Sequence, residues 1–412
     1  MVEMLRHIVL LLVSMVMTIV GVGAQDSKDV SGTWTAELRN GSVFLQVRTS
    51  SPNGLKPWNG DWNMGETLPL DEFAGLPKND DRFTAANVKF ELHREAGTLA
   101  FDGAFRDGRG AGLFTFNPRA EYAAEMKALG YSDDLPLWRR FQLAVYDVGP
   151  KYIKALAAEG YAKLTLDEVQ RARTHGVTID YIREMKTLGY HPTAIGDLVR
   201  AHDHGVSPDY VKSLKAAGYS NLALEDLVRA HDHGVTPAYI EELGRIGFKN
   251  VAMEDLVRTH DHGVNAEFVQ QLRDQNVTAS TLDGYIRLRD HGVRAEYVRD
   301  LKAAGYDKVA ADDLVRLHDH GVRPELFREL SAQGYKSVTL EQAVRLRDHG
   351  VSPEYISDMK EVGLKDLTVD DLVRLRDHGI TPGFVNHVRA RGIKDATAEE
   401  LIRLKNGGLW RE

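Results

Sequence analysis

The chain has 412 residues, 27 % charged and 43 % hydrophobic, with a formal charge of −8, a composition that fits several domains or one extended array in contact with water. It contains no cysteine, which excludes disulfides, thiol catalysis, thiolate metal sites and a lipoprotein anchor. The acidic balance argues against nucleic acid as a partner.

Residues 1–24 read as an export signal. Arg6 precedes an apolar run from Ile8 to Val22, and Val22-Gly23-Ala24 offers small residues for cleavage before Gln25. The run is shorter than the ~20 residues of a spanning helix. A cleaved signal peptide and a periplasmic or extracellular location are therefore expected, with membrane contact only if the segment stays uncleaved.

Residues 25–117 alternate apolar and polar positions and predict a small antiparallel β domain of five or six strands. Gly32 to Leu38 and Val43 to Val47 form one hairpin around Asn40-Gly41. Val88 to Leu92, Leu99 to Phe101 and Leu113 to Phe116 continue as a meander, with turns at Arg94 to Gly97 and at the glycine-rich Asp107 to Gly112. Trp58 and Trp62 bracket Asn59-Gly60-Asp61, a candidate aromatic ligand loop and more simply a turn. The Gly32-Thr33-Trp34 start resembles that of lipocalins, although about 90 residues is short for that barrel.

Residues 118–160 predict degenerate opening repeats that cap an array, with Asp147 standing where a glycine is expected. From residue 161 to 412 the period is constant: His-Gly recurs with its glycine at Gly176, Gly205, Gly234, Gly263, Gly292, Gly321, Gly350 and Gly379. A second stop follows each at an equally fixed interval, at Gly189, Gly218, Gly247, Asn276, Gly305, Gly334, Gly363 and Gly392. Glycine and asparagine share a tolerance for the left-handed conformation that closes helices. Ser207-Pro208, Thr236-Pro237, Ser352-Pro353 and Thr381-Pro382 open one helix of each pair, and capping boxes at Thr165, Thr339 and Thr397 open the other. The fold class expected is mainly α: an α/α solenoid of about ten helix-pair repeats behind a small antiparallel β domain.

A polar ladder runs through the repeats. Arg200, Arg229, Arg258, Arg287, Arg316, Arg345 and Arg374 each precede an aspartate by three residues, at Asp203, Asp232, Asp261, Asp290, Asp319, Asp348 and Asp377, which places both on one helical face. Stacking also brings each arginine near carboxylates of adjacent units. The ladder serves either as structural pairs, the reading favoured, or as a partner-binding stripe. The histidine before each repeat glycine is expected to donate to the last carbonyls of its own helix. Paired histidines such as His231 and His233 point about 200° apart on a helix, so no metal site is assigned, and no cofactor or catalytic residue is expected.

The stretch Gly112-Leu113-Phe114-Thr115-Phe116-Asn117-Pro118, followed by repeats of the form Asp-Leu-Val-Arg-Leu-Arg-Asp-His-Gly-Val-Ser-Pro-Glu-Tyr, resembles a group of exported bacterial proteins of acidobacterial type. The match covers nearly all of the chain after the signal segment. The repeats are also similar to those behind membrane metallopeptidases of the beta-lactam-sensing type. The chain departs from those proteins in having no His-Glu-x-x-His and no bundle of spanning helices. The resemblance implies a non-enzymatic scaffold or docking protein with another protein as partner. The alternatives are an extracytoplasmic sensor taking a small ligand or glycan through the β domain, and a metal-responsive histidine-rich protein.

Overall fold

A computed structural model describes residues 30–50, 61–78, 80–132 and 135–408. The expected signal segment, residues 1–24, lies outside them, as does Trp58. The chain divides between Asp203 and His204 into two compact units.

The first unit opens with one antiparallel sheet of seven strands among the described residues: β1 Val30–Arg39, β2 Ser42–Ser50, β3 Asp61–Pro69, β4 Phe73–Ala74, β5 Ala85–Arg94, β6 Gly97–Arg106 and β7 Arg109–Pro118. Their order is β3-β2-β1-β7-β6-β5-β4. The β1–β2 hairpin turns on Asn40 and Gly41, both at positive φ (46° and 77°), the pair of left-handed residues that matches the twist of a tight hairpin. Trp34 anchors the core. It is 1 % exposed and meets Phe90 edge-on at 4.9 Å.

Two expectations need correction here. The sequence predicts a turn from Asp107 as far as Gly112, yet only Asp107 and Gly108 make the turn, and Gly110 and Gly112 lie within β7. They make room in the sheet: a Cβ on Gly110 would sit 2.7 Å from the Phe105 ring, and one on Gly112 would sit 2.0 Å from the Asp102 carbonyl oxygen. The segment at Trp62 reads as a loop and is instead strand, with Trp62 opposite Thr49 in β2. Its indole packs edge-on against Trp138 at 5.7 Å and Phe141 at 5.3 Å, so apolar burial accounts for it.

Six helices follow in the first unit: α1 Tyr122–Ala128, α2 Leu137–Val145, α3 Pro150–Ala158, α4 Leu166–Thr174, α5 Ile179–Thr187 and α6 Ile195–Asp203. Helix α2 packs on β1, β6 and β7, with the fully buried Phe141 ring stacked on Phe114 at 5.6 Å. The opening repeats thus share a core with the sheet. Arg119 fastens the join by donating to the Glu95 carbonyl and to both carboxylate oxygens of Glu125.

The second unit holds fourteen helices among its described residues: α7 Pro208–Ala216, α8 Leu224–Asp232, α9 Pro237–Arg245, α10 Met253–Asp261, α11 Ala266–Asp274, α12 Leu282–Asp290, α13 Ala295–Ala303, α14 Ala311–Asp319, α15 Pro324–Ala332, α16 Leu340–Asp348, α17 Pro353–Glu361, α18 Val369–Asp377, α19 Pro382–Ala390 and α20 Ala398–Asn406. Helices of like kind stack, α8 on α10 and α10 on α12, α9 on α11 and α11 on α13. One continuous apolar core runs from Val264 to Ile402. A nine-residue helix is too short to stand alone, so each repeat depends on that stacking.

Helix ends follow the sequence signals. At the close of α8, the Gly234 N–H donates to His231 O at 3.0 Å and the Val235 N–H to Ala230 O at 2.9 Å, the paired bonds of a Schellman motif. Asn276 (φ 62°) and Asp147 (φ 52°) fill the same left-handed position without glycine. At the other end, Thr236 accepts from the Tyr239 N–H and Ser352 from the Tyr355 N–H, satisfying N–H groups that have no helical partner.

Candidate functional site: polar locks between repeats

The ladder residues lie where expected on their helices, but most of their partners lie one repeat on. In the second unit Arg229 grips Glu254 with both terminal nitrogens, one of the bonds being 2.7 Å. Arg258 meets Asp283 at 2.6 Å, Arg287 meets Asp312 at 2.6 Å, Arg316 meets Glu341 at 2.5 Å and Arg345 meets Asp370 at 2.6 Å. Arg374 pairs with Glu399. The offset from arginine to acid is the same each time, and the acid falls in the first turn of the next like helix. The arginine therefore sits near the carboxyl end of its helix and the acid near an amino end, where the helix dipole favours each sign of charge.

The aspartates go elsewhere. Asp232, Asp261, Asp290, Asp319, Asp348 and Asp377 accept from Nδ1 of His204, His233, His262, His291, His320 and His349 at 2.6–2.9 Å, each histidine lying 28 residues earlier. His175 and Asp203 repeat this at 2.8 Å in the first unit. An ionised carboxylate has no hydrogen to give, so Nδ1 carries the proton. The arginines meet carboxylates of the adjacent repeat, where stacking is expected to bring them, and Arg258 also bonds Asp255 of its own helix at 3.0 Å. One expectation is corrected by this geometry: the histidine side chain bonds the next repeat while its backbone N–H closes its own helix, as His233 N–H does to Arg229 O. The side chain reaches outward because a carboxylate is a stronger acceptor than a carbonyl.

The pairs stand in water. Arg229 is 48 % exposed and Glu254 62 %, and exposed ion pairs stabilise by about 0–1 kcal/mol. Arg229→Ala should accordingly lower the unfolding free energy by less than about 1 kcal/mol in urea titration; a loss several times larger would mean that the ladder carries buried charge.

Two further rows escape the sequence reading. Tyrosine hydroxyls donate across the stack to backbone carbonyls: Tyr210 to Val235 O, Tyr239 to Val264 O and Tyr297 to Val322 O at 2.8 Å each, and Tyr355 to Ile380 O at 2.9 Å. Desolvation on burial pushes the Tyr210 and Tyr355 hydroxyls up to about 12. Against the same rings lie the earlier histidines of the pairs, His231 on Tyr210 and His260 on Tyr239 at 5.0 Å, His318 on Tyr297 at 5.3 Å. Where arginine replaces that histidine it covers the ring instead, Arg376 over Tyr355 at 5.0 Å and Arg289 over Phe268 at 4.9 Å. The two histidines of each pair thus face different partners, and among the described residues no cluster of three or more potential metal ligands occurs.

No family model matches the chain, and no curated protein matches it. Among the described residues, no helix is long and apolar enough to cross a membrane. What the ladder can do chemically is set by its own bonds. It presents alternating cationic and anionic groups, each engaged on one side and wet on the other, once per repeat at a constant interval.

Proposed function

We propose that the protein is an exported, non-enzymatic scaffold that docks another protein along its helical repeats. The single observation behind this reading is the recurrence, from Arg229 to Glu399, of the same half-exposed Arg–acid and His–Asp pairs at every repeat. A partner that fits one step of such a surface fits the next, and arrays of this kind bind through extended faces. Export rests on the signal segment, and the resemblance to acidobacterial-type exported proteins and to the repeats of beta-lactam-sensing metallopeptidases points the same way. A second reading, a sensor that takes a small ligand through the β domain, draws on one feature of the first unit: a charged cleft at the sheet edge.

The test is site-specific photocrosslinking in the native extracytoplasmic extract, with the reactive residue in place of Arg287, Arg345 or Leu113. Leu113 is 62 % exposed on the sheet of the first unit and serves as the control outside the ladder. The scaffold reading expects one and the same protein to crosslink at both arginine positions and not at Leu113. Crosslinks confined to Leu113 would move the docking surface to the β domain.

A further inference from the structure

Strand β3 shows an anomaly in its inward row. Side chains alternate faces along a strand, so Trp62, Met64, Glu66 and Leu68 share the face that carries the apolar core, and Glu66 is the one carboxylate among them. Strand β5 has the same feature at its end, where Arg94 follows Val88, Phe90 and Leu92 on the inward row. These two positions, with Glu72 after β3, meet Tyr146, Asp147 and Arg173 from the helices around a cleft of about 220 Å³. Thr67, Pro69, Val145 and Thr174 contribute to its walls.

The charges in the cleft do not cancel. Arg94, only 8 % exposed, bonds Glu72 at 2.5 Å, and Asp147 bonds Arg173. Those four groups are neutral together. Arg94 Nε is buried without a hydrogen-bond partner and lies 3.6 Å from a carboxylate oxygen of Asp147, so the network is not closed. Glu66 has no salt-bridge or hydrogen-bond partner among the described residues, and it lines the cleft as an exposed residue. Desolvation raises its pKa above the usual carboxylate range, with Arg94 and Arg173 opposing and Glu72 and Asp147 reinforcing. Tyr146, pushed up by desolvation and by the Glu66 charge, places an aromatic side chain beside that carboxylate. A surplus carboxylate, an aromatic neighbour and a volume that admits a small head group describe a receptor for an organic cation.

We propose that this cleft binds a compact alkylguanidinium or alkylammonium group, with Glu66 as its counter-ion and Tyr146 as its aromatic wall. Arg94 and Arg173, neutralised by Glu72 and Asp147, hold the carboxylates apart and keep the site from collapsing onto itself. The site is independent of the repeat surface proposed for protein docking. Two sources share this chemistry, a free small molecule and an arginine or lysine side chain of a polypeptide.

Calorimetric titration of the full-length protein distinguishes them, with agmatine as the free cation and N-acetyl-arginine amide as the side-chain mimic. Saturable one-to-one binding of agmatine alone supports a small-molecule ligand, and binding of both supports a polypeptide side chain. In either case Glu66→Gln should weaken binding at least about tenfold with an unchanged circular dichroism spectrum, and Glu66→Asp should retain part of it. Binding should also fade as the pH drops through the raised pKa of Glu66, because a protonated acid offers no counter-charge. The proposal fails if neither cation binds, if Glu66→Gln binds as well as the parent, or if acetate binds in their place.

Discussion

Raising the pH through the range from about 10 to 12 is expected to unfold the helical repeats together with the appearance of tyrosinate. An unfolded tyrosine titrates near about 10, whereas burial pushes Tyr152, Tyr181, Tyr210 and Tyr355 up to about 12. The folded state therefore holds protons that the unfolded state has already lost. Stability is fully present below the unfolded value and falls as the pH climbs towards the folded one. At about 1.4 kcal/mol per pKa unit, four such groups withdraw at most on the order of 10 kcal/mol, less a share for solvent screening of the half-buried hydroxyls. That is comparable with the whole stability of an ordinary domain, about 5–15 kcal/mol. Ionisation also removes the hydroxyl proton that Tyr152 gives to Val177 O, Tyr210 to Val235 O and Tyr355 to Ile380 O. Tyrosinate absorbance and far-ultraviolet circular dichroism, followed together, should change in one transition. Tyrosines that ionise near 10 while the helices persist would show that these hydroxyls are not bonded across repeats.

Gly234→Val is expected to be strongly destabilising. Gly234 sits at φ 71° and a Cβ there would lie 2.7 Å from Cε1 of His260, whose ring is held edge-on against Tyr239. The left-handed backbone alone costs a side-chain-bearing residue about 1–2 kcal/mol, and forcing extra atoms into a packed site adds about 1–3 kcal/mol. Gly379→Val separates the two contributions. Gly379 has φ 65° and nothing within 4 Å of its would-be Cβ, so only the backbone share should remain. Urea midpoints of the two variants should therefore differ, with Gly234→Val the lower. Equal midpoints would mean that the His260 ring moves aside freely.

The helix stops were legible because they are local. Glycine, Asn276 and Asp147 each declare a left-handed residue at a helix end, and neighbouring backbone bonds confirm it without reference to distant chain. The ladder is legible as a pattern, and stacking alone brings its arginines near carboxylates of adjacent repeats; the individual partners are harder to read. The three-residue spacing puts Arg229 and Asp232 on one helical face, whereas their bonds run 25 residues forward to Glu254 and 28 residues back to His204. That choice is visible in principle, since each ladder arginine from Arg200 to Arg374 has an acid at the same forward offset, whereas Arg171, one period before them, meets Gly196 there. The cleft could not be read in advance. Glu66, Arg94, Asp147 and Arg173 are scattered over more than a hundred positions, and strand β3 itself reads as a loop because Asn59-Gly60-Asp61 has the composition of a turn.

The reach of these locks has a bearing on chain length. The arginine and histidine bonds both span less than one period, so no lock extends past an adjacent unit. Excising Val235 to Gly263 would leave Gly234 followed by Val264, with Asp283 in position for Arg229, Asp290 for His233 and the Val264 carbonyl for Tyr210. These polar locks therefore do not count repeats. The number of modules is then free to drift by duplication or loss without redesigning these polar locks.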